Sequence, residues 1–258
     1  SVVPSETVFN DESQDVDFRV ESNDNANMLF LDADDNRIGI GTGSPAKPLH
    51  ISSAENQPLR VESTDAYSGI ELKDNGSSAE PPLISALSDG FKIYAGHSSS
   101  RPEVVAIDSA GHVTMPLQPA FYSDMTTTAV DKTGGGSNYS ITEATWTDRV
   151  DKNGDFSNGT FTAPVTGFYH FELALTLSGV ASGHTNATIS LISSNRTLTV
   201  YKSPGVDENT SLGGVTYLIS SYFDMDASDT VYCQISIAGG SDVIDVFNTT
   251  RFSGSLIN

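Results

Sequence analysis

The chain has one cysteine, one tryptophan, and only six lysines and seven arginines among its 258 residues. A lone Cys233 excludes an intrachain disulfide and a zinc site built from several thiolates. Thirteen cations against 33 acidic side chains leave a formal net charge of −20. No nucleic-acid partner is expected, because displacing phosphate counterions needs clustered Lys and Arg. No run approaches the roughly 18 consecutive apolar residues of a membrane span, so no membrane insertion is expected either. Apolar spacings of three and four never persist up to about Pro119, which excludes a helix there. What remains is 37% hydrophobic residues set among abundant Gly, Ser, Thr, Asn and Asp, the material of short strands and many turns.

Residues 1–118 contain pairs of apolar side chains one residue apart: Phe18 and Val20, Leu29 and Leu31, Ile38 and Ile40, Leu49 and Ile51, Leu59 and Val61, Ile70 and Leu72. Each pair lies on one face of a short strand, which therefore has one apolar side. Phe18-Arg19-Val20-Glu21-Ser22 recurs 41 positions later as Leu59-Arg60-Val61-Glu62-Ser63, and Leu31-Asp32 through Arg37-Ile38 has an echo in Ile107-Asp108 through His112-Val113. Repetition at this period predicts a supersecondary unit stacked along an axis. A few narrow ribbons cannot enclose a core alone. Three copies wound about a common axis would turn these faces inward, predicting an intertwined trimeric β shaft.

Longer strands are predicted in residues 119–258, over 160–165, 167–178, 186–193, 197–202, 214–225, 229–238, 243–248 and 251–257. Along 167–178, Tyr169, Phe171, Leu173, Leu175 and Leu177 share one face. About ten strands with Gly-rich turns predict an antiparallel jelly-roll sandwich. Cys233 falls in period with Val231, Ile235 and Ile237, as a small buried hydrophobe would. The whole chain is thus expected to be all-β, a shaft followed by a head.

Two resemblances sharpen this reading. Ile38-Gly39-Ile40-Gly41-Thr42-Gly43-Ser44-Pro45-Ala46-Lys47-Pro48-Leu49-His50-Ile51 resembles the IGT-x-SP-x-x-LHV signature of phage tail fibres and related trimeric adhesins, with Gly39 and Gly41 permitting close backbone packing. Residues 119–258 resemble the C1q-like globular domain of the C1q/TNF superfamily. The matching segments are Pro119-Ala120-Phe121-Tyr122, the run from Asn158 to Phe171, Asp229-Thr230-Val231-Tyr232, and Phe252-Ser253-Gly254-Ser255-Leu256. Ser228 stands where that family has glycine, and Ser255 where it has an aromatic residue. The resemblance implies a homotrimer of jelly rolls.

Candidate chemistry is sparse. Asp151-Lys152-Asn153-Gly154-Asp155 resembles half of a calcium loop, so Ca2+ at Asp151, Asn153 and Asp155 is weighed against a turn stabilised by Asp151; no Glu closes the loop at the twelfth position. Asp32-Ala33-Asp34-Asp35-Asn36 reads as a hairpin turn. Gly134-Gly135-Gly136-Ser137 lacks the Lys-Ser/Thr ending of a phosphate loop and reads as a flexible surface turn. The histidines show no metal-ligand spacing, and His184 is expected to be solvated. No nucleophile elbow, Walker loop or triad is present, and neither an enzyme nor a further cofactor is expected.

These readings converge on a virion fibre, of a phage or an archaeal virus, acting extracellularly. Its head would recognise a host-surface glycan or protein, and its N-terminal end would meet other virion proteins. His184, Asp207, Asn209 and Asp242 are the candidate receptor contacts, because loops bind while the sandwich positions them. A capsid-decorating or head fibre, and a secreted bacterial adhesin, are the alternatives.

Overall fold

The computed structural model describes residues 13–76, 80–87, 90–96, 101–204 and 214–258. Two compact units result: Ser1–Leu72 with Leu83–Asp89, and Lys73–Pro82 with Gly90–Asn258. Strands dominate, as the alternation predicts.

The first unit opens with a four-stranded sheet of β1 (Phe18–Val20), β2 (Leu29–Asp32), β3 (Arg37–Ile40) and β4 (Leu49–Ile51), in that order. Register places Phe18 opposite Leu31, Leu31 opposite Ile38, and Ile38 opposite Leu49. A parallel row carries Val20, Leu29, Ile40 and Ile51 on the same face, since side chains alternate with period two. The β3–β4 pair is parallel although residues 41–48 alone connect it, well short of the dozen usual for such a crossover. Backbone contacts hold this tight path: Gly41 donates to Asn27 O at 2.8 Å and Ser52 to Ile40 O at 2.8 Å. Arg37 Nη1 ties the Ser-Pro turn by donating to Pro45 O at 2.8 Å. Gly41 has φ +75°, and a Cβ there would overlap Ser52 O, which explains the glycine in the motif.

The repeat is only partly realised as strand. Both echoes of the Leu31–Ile38 hairpin form: Asp32 Oδ1 accepts from Asp35 N at 3.0 Å, and Asp108 Oδ1 accepts from Ala110 N and His112 N at 2.9 Å each. Asn36 and Gly111 supply the positive φ at corresponding turns. The Asp32–Asn36 run is therefore a hairpin turn. Both Arg-Val-Glu copies keep an ion pair, Arg19–Glu21 at 2.5 Å and Arg60–Glu62 at 2.6 Å. Leu59–Val61, however, is not a strand. β1 has β2 as its partner, whereas no described segment pairs with residues 59–61, and an extended segment without ladder bonds gains nothing from strand geometry. β5 (Tyr67–Glu71) and β6 (Leu83–Leu87) pair antiparallel, Ile70 opposite Ile84.

In the second unit, β7 (Gly90–Tyr94), β8 (Glu103–Ile107) and β9 (Val113–Thr114) form a meander. The jelly roll follows with β10 (Ala120–Met125), β11 (Ala129–Thr133), β12 (Asn138–Ser140), a 3-10 turn Ile141–Glu143, β13 (Trp146–Asp151), β14 (Phe156–Ser157), β15 (Thr160–Thr162) and β16 (Gly167–Ser178). It continues through β17 (Asn186–Ser193), β18 (Thr197–Lys202), β19 (Gly214–Met225), β20 (Thr230–Ala238), β21 (Ile244–Val246) and β22 (Arg251–Leu256). One sheet runs β11-β21-β16-β22-β10-β13 with β19 also on β16; the other runs β14-β15-β20-β17-β18 with β12 on β20. From residue 160 onward strand positions match the predicted ranges to within one residue at each end, except that β15 ends at Thr162 and β21 spans only Ile244–Val246.

Inward side chains meet around Phe171, whose ring centroid lies 5.3 Å from Phe161, 5.9 Å from Phe223 and 6.0 Å from Phe252. Phe121 stacks on Phe156 at 4.4 Å. Gly254 lets these rings pass: a Cβ would sit 2.7 Å from Phe121 Cε1 and overlap the Phe171 ring. Cys233 is fully buried, and burial pushes its thiol pKa up, so it is inert inside the core. Ser228, ahead of β20, has φ +78°.

Two outcomes follow from the packing. Gly254→Val should destabilise the head by about 1–3 kcal/mol through overpacking, read as a lower urea midpoint with unchanged slope. Ser228→Gly should raise stability by about 1 kcal/mol, because glycine adopts the left-handed region without the Cβ penalty; a midpoint that falls would contradict the assigned conformation.

Candidate binding site in the head loops

Three loops of the head come together: 134–137 between β11 and β12, 179–185 between β16 and β17, and 239–243 between β20 and β21. They are knitted by backbone bonds, while Val180 anchors the 179–185 loop in the apolar core. Gly134 N and Gly136 N both donate to Ile237 O, at 3.0 and 2.8 Å, and Gly240 N returns a bond to Gly134 O at 3.0 Å. Thr133, fully buried, receives Ile237 N on its hydroxyl at 2.7 Å and donates to Ser137 O at 2.8 Å. The expected flexible glycine turn is thus a clamped one. Its glycines are required by close approach: a Cβ on Gly134 would overlap Ser241 O and sit 3.1 Å from His184 Nε2.

Two predicted contact residues fall in this cluster. His184 is 2% exposed, which corrects the expectation of a solvated side chain. Its Nδ1 accepts from Ala181 N at 2.9 Å, and its Nε2 lies 3.4 Å from Ser241 O. Gly240 covers the ring, since a Cβ there would overlap the imidazole. The imidazole therefore braces two loops and presents almost no surface to a partner. Asp242 is exposed and bridges two loops: Oδ1 accepts from Gly135 N at 2.7 Å and Oδ2 from Ser137 Oγ at 2.7 Å. The Gly135 N–H, then the Ser137 hydroxyl, hold its carboxyl below the ordinary value. Asp207 and Asn209 lie outside the described residues.

Asp245 extends the same region, with Oδ1 accepting from Asp131 N at 2.9 Å and Oδ2 from Ser178 Oγ at 3.2 Å. Sequence reasoning missed it because a carboxylate capping a distant backbone N–H has no local signature. The signal that was available is the triple glycine at 134–136, which marks close backbone approach.

A second concavity, of about 390 Å3, opens on the outward face of the β10-β22-β16 sheet, lined by Tyr122, Val150, His170, Glu172 and Ser255 among others. Ser255 contributes little bulk there. Beside it His170 Nε2 lies 2.6 Å from Ser220 Oγ, and Phe168 stacks on Tyr222 with centroids 5.5 Å apart. The alternation of β16 placed His170 opposite the core face, but the partners from β19 came from pairing over residues 167–178.

The proposed calcium loop folds as a turn. Asp151 Oδ1 accepts from Asp155 N at 3.0 Å and Oδ2 from Phe156 N at 3.2 Å, so both oxygens face their own backbone. Asp155 has a buried Oδ2 without a hydrogen bond, and burial raises its pKa. Asn153 Nδ2 reaches Leu117 O at 3.3 Å. Among the described residues, no three His, Cys, Asp or Glu side chains converge as a metal site would require. The turn stabilised by Asp151, the reading weighed against Ca2+ at Asp151, Asn153 and Asp155, thus accounts for the motif.

No protein-family model matches the sequence, and no curated protein matches it. Among solved structures, the chain is similar to the globular domain of zebrafish complement 1qA protein. The identity is 20% and the TM-score 0.37, over 55% of this chain and 98% of that one. It is also similar to murine APRIL at 9% identity and a TM-score of 0.37, over 54% of this chain and 99% of that one.

Asp242 gives the loops a pH dependence. Because its folded-state pKa is lowered, its stabilising bonds are complete above the ordinary carboxylate range and are lost as pH falls through the lowered value. The protection factor of the Gly135 amide, from NMR hydrogen exchange corrected for the intrinsic pH dependence of the exchange rate, should be high at neutral pH and fall on acidification below that range. Asp242→Asn should abolish the acid dependence; an unchanged profile in that variant would exclude this bridge as its source.

Proposed function

We propose that the protein is a trimeric viral fibre of a phage or an archaeal virus. Residues 1–118 form the intertwined shaft, and residues 119–258 form a head that recognises a host-surface glycan or protein. One observation carries the reading: the face of the four-stranded sheet built from Phe18, Val20, Leu31, Ile38, Ile40 and Leu49 is apolar throughout and stays 36–58% exposed in the single chain. Isolated exposed hydrophobes need no explanation, but a contiguous face marks an interaction surface. A groove of about 500 Å3 runs over it, lined by Val16, Phe18, Leu29, Leu31 and Ile38, with Asp32, Asn36 and Arg37 of the hairpin turn at its rim.

The magnitude decides how far this face suffices. Burying on the order of 60 Å2 on each of six such side chains contributes about 9 kcal/mol per protomer at about 25 cal/mol/Å2. Association costs roughly 4–15 kcal/mol in lost freedom. The shaft face alone is therefore marginal, and the head supplies the rest. Its outward strand face offers Phe168, Tyr222 and Leu218, the last 74% exposed.

Function then needs no bond chemistry. Three heads on one stalk engage repeated surface groups, and weak single contacts add through effective concentration. The clamped loops around Asp242 hold contact atoms in fixed positions, which lowers the entropic cost of each contact. The N-terminal end joins the fibre to other virion proteins.

Sedimentation of the full chain should give a trimer. Ile38→Asp should weaken association by about tenfold or more, following from the roughly 1.5–3 kcal/mol that burial of one such side chain contributes. A folded monomer at micromolar concentration would overturn the assembly. Purified trimer should block adsorption of the parent particle to its host, and replacement of the loop 239–243 should relieve the block; adsorption that ignores excess trimer would overturn the attachment role.

A further inference from the structure

The repeat contains a strand that the single chain does not use. In the first copy, β1 is an edge strand on β2, with Phe18 opposite Leu31, Arg19 opposite Phe30 and Val20 opposite Leu29. Shifted by the 41-residue offset, the same register sets Leu59 opposite Leu72, Arg60 opposite Glu71 and Val61 opposite Ile70. The second set is chemically better matched than the first. Arg60 faces Glu71, an opposite-charge cross-strand pair where the first copy has Arg19 and Phe30. Val61, Ile70 and Ile84 form one apolar row, because β5 already sets Ile70 against Ile84. Leu59, Val61, Ile70 and Leu72 are 45–59% exposed. β5 is the terminal strand of its sheet, so one of its edges is open among the described residues.

The turn between the two segments argues against closure within one chain. In the first copy, Ser22 N donates to Asn25 O at 2.9 Å, Asn25 Oδ1 accepts from Asn27 N at 2.9 Å, and Asn27 O accepts from Gly41 N at 2.8 Å. These bonds reverse the chain onto β2. Positions 66 and 68 of the second copy are Ala and Ser, which cannot rebuild that carboxamide turn. Local bonds replace it: Asp65 N donates to Ser63 Oγ at 3.1 Å, and Ala66 N to Asp65 Oδ1 at 2.7 Å. Residues 59–61 then stay clear of their own β5.

We propose that Leu59–Val61 adds as an antiparallel edge strand to β5 of a second copy of this chain, in the register Leu59 to Leu72, Arg60 to Glu71 and Val61 to Ile70. The inference rests on the trimeric reading and deepens it, naming the strand exchanged between copies and its acceptor. Donated ladder bonds close the open edge of β5 and extend its apolar row. Charge pairing between Arg60 and Glu71 selects this register over a one-residue slip, which would turn Val61 and Leu59 to the opposite face.

Cysteine crosslinking in the full chain tests the proposal, since the native Cys233 is buried and unreactive. Directly opposed strand residues have Cα separations of about 4.5–5.5 Å, within the usual disulfide range of about 4.4–6.8 Å. Val61→Cys and Ile70→Cys chains, co-expressed and mildly oxidised, should give a covalent heterodimer on non-reducing gels. The double variant Val61→Cys/Ile70→Cys should give ladders up to trimer. Arg60→Glu should cut the crosslink yield severalfold, and adding Glu71→Arg should restore it. A double variant that crosslinks only within its own chain would overturn exchange in favour of closure in cis. No crosslink in a particle that still sediments as a trimer would overturn this strand pairing while leaving the trimer intact. A folded monomer without crosslinks would overturn both.

Discussion

An apolar sheet face that its own chain leaves uncovered is the constraint on which the rest depends. Strand geometry sends every second side chain to the same side, so β1 to β4 collect two apolar rows on one face and Arg19, Phe30, Gly39 and His50 on the other. A sheet this narrow has no second layer to bury against within its own strands. The head shows the opposite case: the same period-two rule builds two facing sheets, and Phe161, Tyr169, Phe171, Phe223 and Phe252 are each fully buried between them. One rule thus yields a buried core in one part and an exposed apolar face in the other.

The head's loops owe their order to polar groups. His184 is excluded from water because Gly240 lies over it and Ser241 O and Ala181 N face its two ring nitrogens. Asp242 and Asp245 each cap a backbone N–H more than 100 residues away in sequence. Such caps suit a binding surface, since they hold loops still without an apolar patch that would associate indiscriminately. With a net charge of −20, copies of the chain repel one another at low ionic strength, so any association through apolar faces would be opposed by charge and favoured by added salt.

Much of the fold was legible because alternation is a local property. β16, β17, β18 and β19 lie where apolar residues alternate, and the apolar pairs Phe18/Val20 and Leu29/Leu31 marked out β1 and β2. The Leu59–Val61 failure has a definite cause: a strand needs a partner, and the sequence of the segment does not say whether one is in reach. The Asp151–Asp155 run left a cation and a turn both open for a related reason. Asp and Asn serve equally as cation ligands and as caps for turn N–H groups, and the choice depends on where neighbouring backbone points.

By itself, then, the sequence determined an all-β chain, the strand positions of the head from residue 160 onward, the buried Cys233, and the glycines at 39 and 41 that mark close approach. Each of these follows from side-chain period or from the absence of a Cβ, which act within a few residues. Tertiary structure alone decided the parallel pairing of β3 with β4, the burial of His184, the loop bridge through Asp242 and the unpaired state of Leu59–Val61. Those features depend on which distant backbone atoms arrive beside a given residue, and no local pattern encodes that arrival.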